Sequence, residues 1–203
     1  MATELIQESG DGARRTGSDM TTKHFHIFGQ GISFSMSPTI HIAAFRHHDL
    51  PHTYDIRETE TIEQSGHLIK DALLGGVSIT MPHDHAFHKF CDKQSIHARW
   101  ICAINTLVAK HVAENRTIIG DNTDWSGVYA LIILYTMSNN NGPTVVLVIR
   151  AGGASRAASY VMYQADIQWI FLFNRTIANA DRIARDFKDL FQRGGGPGSY
   201  EST

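Results

Sequence analysis

Cysteine is scarce in this chain, which has only Cys91 and Cys102 among its 203 residues. Two widely spaced cysteines do not suggest a disulfide framework, so the sequence predicts a reduced, intracellular protein of the cytoplasm or nucleus. An excess of charge of one sign is also missing, because the formal net charge is −2. Nothing therefore indicates direct binding to nucleic acid or to a membrane surface. The longest apolar runs, such as 130–134, are far too short to cross a bilayer.

Apolar strands alternate with helical stretches along most of the chain. Residues 1–22 are polar and aperiodic, and we expect this arm to be disordered. The pattern then predicts a strand at 24–28 and a helix over 37–48, with Ser37 as its cap and Pro38 in its first turn. Strands alternating with helices predict an α/β fold with parallel sheets and crossover connections.

A glycine-rich turn follows the apolar strand 144–149. Its geometry, a buried strand, a tight turn and the start of a helix, is that of a dinucleotide-binding G-x-G-x-x-G/A turn. Arg150 stands where the first glycine is expected. A complete doubly wound domain has roughly six strands. Because the sequence supplies about two before its glycine-rich end, we predict an incomplete Rossmann-like unit.

These observations divide the chain into five parts. We predict a disordered arm (1–22), an N-terminal α/β domain (23–137), a linker (138–143), a partial Rossmann-like domain (144–193) and a flexible tail (194–203).

Six segments, at 29–41, 78–84, 103–106, 120–127, 151–157 and 174–176, resemble the shikimate/quinate dehydrogenase family and occur in its order. The resemblance makes 23–137 a substrate-binding domain. It implies three groups of site residues: Ser35 and Ser37 for the substrate carboxylate; Thr80, Asn105 and Asp124 for the polyol; and Arg150, Gly152, Gly153, Ala154, Asn174, Arg175 and Thr176 for a cofactor, with NADP favoured over NAD. The catalytic pair in the family is a lysine and the aspartate that matches Asp124. The lysine position matches Asp84.

The residues that depart from the family's pattern stand at its catalytic and cofactor-binding positions. Loss of a group that accepts the hydroxyl proton typically costs roughly 10²- to 10⁴-fold in rate. At a separation of about 4 Å, Asp84 and Asp124 would repel by on the order of 4 kcal/mol at an effective dielectric of 20. Alternatively, Asp84 only caps the helix that we predict after Pro82.

Two further alternatives concern histidines and Arg150. His83 or His85 could replace the lysine, although both flank position 84 and would point elsewhere. His83, His85 and His88 lack a fourth zinc ligand, so we interpret them as surface histidines and predict no metal. Arg150 in a left-handed conformation costs about 1–2 kcal/mol and fills space near the pyrophosphate. Its guanidinium could instead bind phosphate.

The pattern also resembles the dehydrogenase-like region of fungal quinate-pathway repressors. We therefore expect a catalytically inactive module that senses a small cyclic hydroxy-carboxylate (shikimate, quinate or dehydroshikimate) and has a transcriptional activator as its partner. No cofactor is expected, or NADP if the dinucleotide site survives. One alternative is an NADP-dependent dehydrogenase that reduces 3-dehydroshikimate. Another is a non-binding remnant of a larger polypeptide.

Overall fold

The computed structural model describes residues 21–83, 87–112, 115–139, 144–194 and 199–202, so most of the arm predicted over 1–22 lies outside the described part. The strands are β1 His24–Gly29, β2 Thr53–Glu58, β3 Leu74–Ile79, β4 Lys93–Gln94, β5 Thr106–Val112, β6 Asn115–Asp121, β7 Val145–Ile149, β8 Trp169–Phe173 and β9 Ser199–Ser202. The helices are α1 Ser37–His47, α2 Gly66–Ile69, α3 Ile96–Ile101, α4 Asp124–Asn139, α5 Gly153–Gln164 and α6 Ile177–Gly194. Two 3-10 turns, Ile62–Ser65 and Phe87–Phe90, complete the set.

The first sheet has the order β2-β1-β3-β5-β6-β4 and confirms the α/β prediction. Strands β1, β2 and β3 are parallel, as the alternation of strands and helices predicts. β5 runs antiparallel to both β3 and β6, which the expectation of parallel sheets missed. Only two residues separate β5 from β6, too few for a crossover helix, and so the two strands pair antiparallel.

Helix α1 begins as predicted, but its cap differs. The N-cap is Met36 without a side-chain hydrogen bond, and Pro38 lies in the first turn. Ser37 is therefore not the cap but the first residue of the helix, and its hydroxyl oxygen accepts a hydrogen bond from Ser35. Helix α3 was not predicted; its cap is Ser95, whose hydroxyl oxygen accepts a hydrogen bond from the Ala98 backbone N–H at 3.0 Å.

The second sheet has the order β7-β8-β9, with all neighbours parallel. It holds three strands where the sequence indicates about two. Residues 199–202, which fall within the tail predicted over 194–203, form β9 and extend the sheet along β8. A free strand edge offers unpaired backbone groups, and this pairing does not depend on the side-chain pattern that sequence interpretation uses. Helix α4 extends to 139 and so includes the first two residues of the predicted linker; 140–143 lie outside the described residues. None of the described helices is long and apolar enough to span a membrane.

The core around the second sheet extends beyond residues 144–193. Ile183 and Phe187 of α6 and Val161 of α5 are almost fully buried. Ile101 and Ala103, which precede the predicted linker, pack into the same cluster as α5, β8 and α6. The end of α3 therefore joins the two sheets.

Candidate functional site

The loop after β1 places two serine hydroxyls side by side. The backbone N–H of Ile32 donates to the Glu58 carboxylate at 2.6 Å, and that of Ser35 donates to the Ile32 carbonyl at 2.8 Å. The Ser35 hydroxyl then donates to Ser37 Oγ at 3.1 Å. Each hydroxyl carries one proton and can turn towards another acceptor. The loop thus offers two neighbouring donors to a single carboxylate.

A buried tyrosine lies behind these serines. The Tyr54 side chain on β2 is 4% exposed, and its hydroxyl donates to Ser78 Oγ on β3 at 2.8 Å. Burial raises the pKa of Tyr54, and hydrogen bonds with Ser78 and Ser37 act in the opposite direction. The phenol therefore keeps its proton near neutral pH. The His41 ring stacks on the tyrosine ring, with centroids 4.4 Å apart.

Thr80 follows β3 directly and packs against the end of β1. Its backbone N–H donates to the Phe28 carbonyl at 2.9 Å. A Cβ added to Gly29 would lie 2.6 Å from Thr80 Cγ2. Glycine at position 29 is what allows the two strand ends to approach so closely. Thr80 and the serine loop therefore lie at the same carboxyl edge of the sheet, where open α/β sheets bind ligands.

Asn105 is held in place by hydrogen bonds to its amide oxygen. Its Oδ1 accepts from the Thr106 hydroxyl at 2.9 Å and from the Thr123 backbone N–H at 2.9 Å. Its backbone carbonyl accepts from the Ile79 N–H at 2.7 Å, which places it beside the end of β3. In the part of the chain that the structure describes, no protein group accepts a hydrogen bond from its Nδ2, so the amide can donate to a ligand hydroxyl.

Asp124 begins α4 and is positioned by a buried asparagine. Asn122 is 1% exposed; its Oδ1 accepts from the Asp124 backbone N–H at 3.1 Å, and its Nδ2 donates to the Ala103 carbonyl at 3.2 Å. The carboxylate of Asp124 is exposed at the helix N-terminus, where the macrodipole favours negative charge. Sequence interpretation missed the role of Asn122; its place two residues before a helical aspartate is the signal that points to it.

The prediction for His83, next to the lysine position, is wrong. Asp84 and His85 lie outside the described residues, so the predicted pairing of Asp84 with Asp124 stays a prediction. His83 is not a surface histidine as predicted, because it is 6% exposed and its Nε2 lies 2.8 Å from the Thr59 carbonyl. A carbonyl only accepts, so this nitrogen carries a proton and is already used inside the fold. His88 is exposed, and the described residues contain no group of three side chains able to hold a metal ion.

Arg150 adopts the conformation that the fingerprint reserves for glycine. Its φ is 84°, in the left-handed region, which confirms the predicted backbone strain. Its N–H donates to the Phe173 carbonyl at 2.7 Å and so joins the ends of β7 and β8. The side chain is exposed at this edge of the sheet. The turn thus has a left-handed residue at position 150 that carries a large cationic side chain.

The remaining predicted cofactor residues lie at the same carboxyl edge. Gly152 caps α5 in an extended conformation, and a Cβ there would meet nothing within 4 Å. The fold therefore does not require glycine at position 152, whereas the approach of a phosphate would. Gly153 and Ala154 begin α5. Asn174 Nδ2 donates to the Thr176 carbonyl at 2.8 Å, while the Arg175 side chain is exposed.

A buried arginine that sequence interpretation did not single out ties this unit to α3. Arg156 is 4% exposed; its Nε donates to the Ile101 carbonyl at 2.6 Å, and its guanidinium pairs with Asp186 at 2.7 Å. Beside it, His97 stacks on Trp125 at 4.0 Å and its Nδ1 lies 2.9 Å from the Tyr160 hydroxyl. These contacts fix the second sheet against α3 and α4.

The chain is similar to a known domain family and to two kinds of larger protein. Residues 27–107 match the shikimate dehydrogenase substrate binding domain. The pentafunctional AROM polypeptide of Schizosaccharomyces pombe is 35% identical over 84% of this chain, and the match covers 11% of that polypeptide. The quinate repressor protein of Emericella nidulans is 34% identical over 82% of this chain and is covered over 20% of its length. The chain thus spans a small part of these relatives.

Solved structures show the same relationship. The dehydroquinate dehydratase and shikimate dehydrogenase portion of the S. pombe protein is 35% identical, with a TM-score of 0.71, over 86% of this chain and 33% of that one. Shikimate 5-dehydrogenase of Thermus thermophilus, in complex with NADP(H) and shikimate, is 27% identical with a TM-score of 0.65. That match covers 82% of this chain and 61% of the enzyme. Residues 27–107 therefore belong to the shikimate dehydrogenase substrate-binding domain family, and most of the chain is similar in fold to solved shikimate dehydrogenases.

Proposed function

We propose that this chain is a ligand-sensing module that binds a small cyclic hydroxy-carboxylate and does not reduce it. The observation that carries the proposal is a contrast between the carboxyl edge of the first sheet and that of the second sheet. At the first, the hydroxyls of Ser35 and Ser37 and the amide of Asn105 are positioned by hydrogen bonds. At the second, Arg150 occupies the left-handed position of the nucleotide turn.

The first edge suits a cyclic hydroxy-carboxylate because its donors are of two kinds. Paired serine hydroxyls match the two oxygens of a carboxylate, and charge-assisted hydrogen bonds of this type are the stronger ones. The amide of Asn105 and the hydroxyl of Thr80 match ring hydroxyls. Shikimate, quinate and dehydroshikimate all carry both groups. The Thermus thermophilus relative was solved with shikimate, which supports this ligand class.

The residue at the lysine position and the second edge both argue against turnover. In the proposal, Asp84 stands in place of the proton-accepting lysine, and the Arg150 side chain fills space that a pyrophosphate would need. NADP is accordingly not required, and Gly152, Asn174, Arg175 and Thr176 are remnants of its site. Similarity to quinate repressor proteins supports a regulatory role, in which ligand binding changes a surface that contacts a transcriptional activator.

The test is a calorimetric titration with shikimate of the wild-type chain and of a Ser35→Ala/Asn105→Ala double variant. Removing two directed hydrogen bonds, one of them to a carboxylate, is expected to weaken binding by roughly 100-fold. Ser33→Ala is the matched control, because Ser33 is exposed in the same loop. An unchanged affinity in the double variant would rule out this site.

The second candidate function, an NADP-dependent dehydrogenase, rests on the phosphate-binding capacity of a guanidinium at the turn. Its test is the reduction of 3-dehydroshikimate by the wild type and by an Asp84→Lys/Arg150→Gly variant. Turnover by the wild type would favour the enzyme. Turnover only by the variant would support the proposed loss of catalysis. Failure of every ligand to bind would indicate a non-binding remnant.

A further inference from the structure

A chain of hydroxyls connects the ligand-facing serines to the interior of the sheet. Ser35 donates to Ser37 at 3.1 Å, and Tyr54 donates to Ser78 at 2.8 Å. Tyr54 packs in one cluster with Ile32 of the serine loop and stacks on His41 of α1, so the two pairs lie side by side as one series. The Ser37 hydroxyl, like that of Ser78, acts to lower the pKa of Tyr54. Ser78 lies on β3 two residues before Thr80, and the series therefore reaches both sides of the candidate site.

Each hydroxyl in this series has one proton and can both donate and accept. Without ligand, the proton of Ser35 points to Ser37 and that of Tyr54 points to Ser78. When Ser37 gives its proton to a ligand carboxylate, its oxygen becomes free to accept from the Tyr54 hydroxyl. A donor behind Ser37 would strengthen the hydrogen bond that Ser37 makes to the anion, because linked hydrogen bonds polarise one another.

We propose that Tyr54 is a positioning residue for carboxylate recognition, whose hydroxyl turns from Ser78 to Ser37 when an anionic ligand binds. This inference rests on the proposed function, and it identifies Tyr54 as the residue that favours binding of the ionised carboxylate over an uncharged ligand. Tyr54 is suited to this role because the stack with His41 and burial within the sheet fix its ring. Its raised pKa keeps the phenol a proton donor throughout the neutral range.

The test compares shikimate with its uncharged methyl ester in calorimetric titrations of the wild type and Tyr54→Phe. Phenylalanine keeps the ring and removes only the hydroxyl. We expect Tyr54→Phe to bind shikimate roughly 2- to 10-fold more weakly and to bind the ester with unchanged affinity. A residue that only supports the fold would weaken both ligands alike, so equal losses would overturn the inference, as would no loss for shikimate.

Two further variants keep the test decisive. Ser78→Ala leaves the Tyr54 hydroxyl free to face Ser37 permanently, and shikimate affinity is expected to stay equal or to rise by up to about threefold. Combining Ser78→Ala with Tyr54→Phe should abolish that gain, and persistence of the gain would contradict the inference even if Tyr54→Phe were poorly folded. Tyr129→Phe on α4 is the matched control. If the wild type binds neither ligand, the proposed function itself fails.

Discussion

Replacing Arg150 with glycine should stabilise the chain. The backbone at position 150 has a φ of 84°, which costs a residue with a Cβ about 1–2 kcal/mol. Glycine removes this cost but adds unfolded-state entropy worth roughly 0.5–1 kcal/mol. The expected net gain is therefore about 0.5–1 kcal/mol in the free energy of unfolding. For a chain of this size, the midpoint of thermal unfolding should rise by roughly 1–4 °C.

Urea denaturation of wild type, Arg150→Gly and Arg150→Ala separates backbone strain from side-chain effects. Alanine removes the guanidinium but keeps the Cβ, so Arg150→Ala should show none of the gain. Gly152→Ala is a second control without backbone strain, because Gly152 has a φ of −105° and a Cβ there meets nothing within 4 Å. Its unfolded-state gain of roughly 0.4–1 kcal/mol should be offset by the loss of a favourable N-cap residue, so little net change is expected. The reasoning is refuted if Arg150→Gly is no more stable than Arg150→Ala.

Three other predictions follow from buried polar groups. Arg156→Met should lower the free energy of unfolding by about 2–3 kcal/mol in urea denaturation, because it leaves the Ile101 carbonyl without its donor and Asp186 without its ion pair; a loss below 0.5 kcal/mol would contradict the structure. Burial, assisted by Asp92, raises the pKa of Cys91 to about 11, so iodoacetamide at pH 8 should alkylate the exposed Cys102 well before Cys91, as read by peptide mass spectrometry. Burial lowers the pKa of His97, against a smaller opposing effect of Asp121, and the pKa values of His26 and His52 are lowered as well. The unfolded chain therefore binds more protons, so stability should fall as the pH drops below about 6.5, and melts of His97→Asn against pH should show a weaker decline than the wild type.

Much of the fold follows from apolar patterning. Strands β1 and β7 and helix α1 lie within a few residues of the predicted bounds, because each has a clear apolar run or a helical start signal. Helix α3 and strand β4 were missed because both are short, and β4 has only two residues. β9 follows a glycine-rich segment, and its pairing comes from the free edge of β8 rather than from its own composition.

The candidate site was predictable where residues occur in an ordered motif. The structure places the hydroxyls of Ser35 and Ser37 side by side after β1 and Arg150 directly after β7, and the contacts that support them are invisible in a single sequence. Tyr54 and Arg156 act through partners 24 and 55 residues away in the chain, and such pairs are set by strand order and helix packing. The burial of His83 has the same origin, because its partner Thr59 follows β2, which β1 separates from β3 in the sheet.

The central claim is that the site formed by Ser35, Ser37, Thr80 and Asn105 still binds its ligand, while the turn at Arg150 no longer binds a nucleotide. It is tested most directly by titrating the unmodified chain separately with shikimate and with NADP in one calorimetric series. The account predicts saturable binding of shikimate and no binding of NADP at concentrations up to the millimolar range. Binding of NADP would show that Arg150 does not close the turn, and absence of shikimate binding would show that the hydroxyl and amide groups do not form a site.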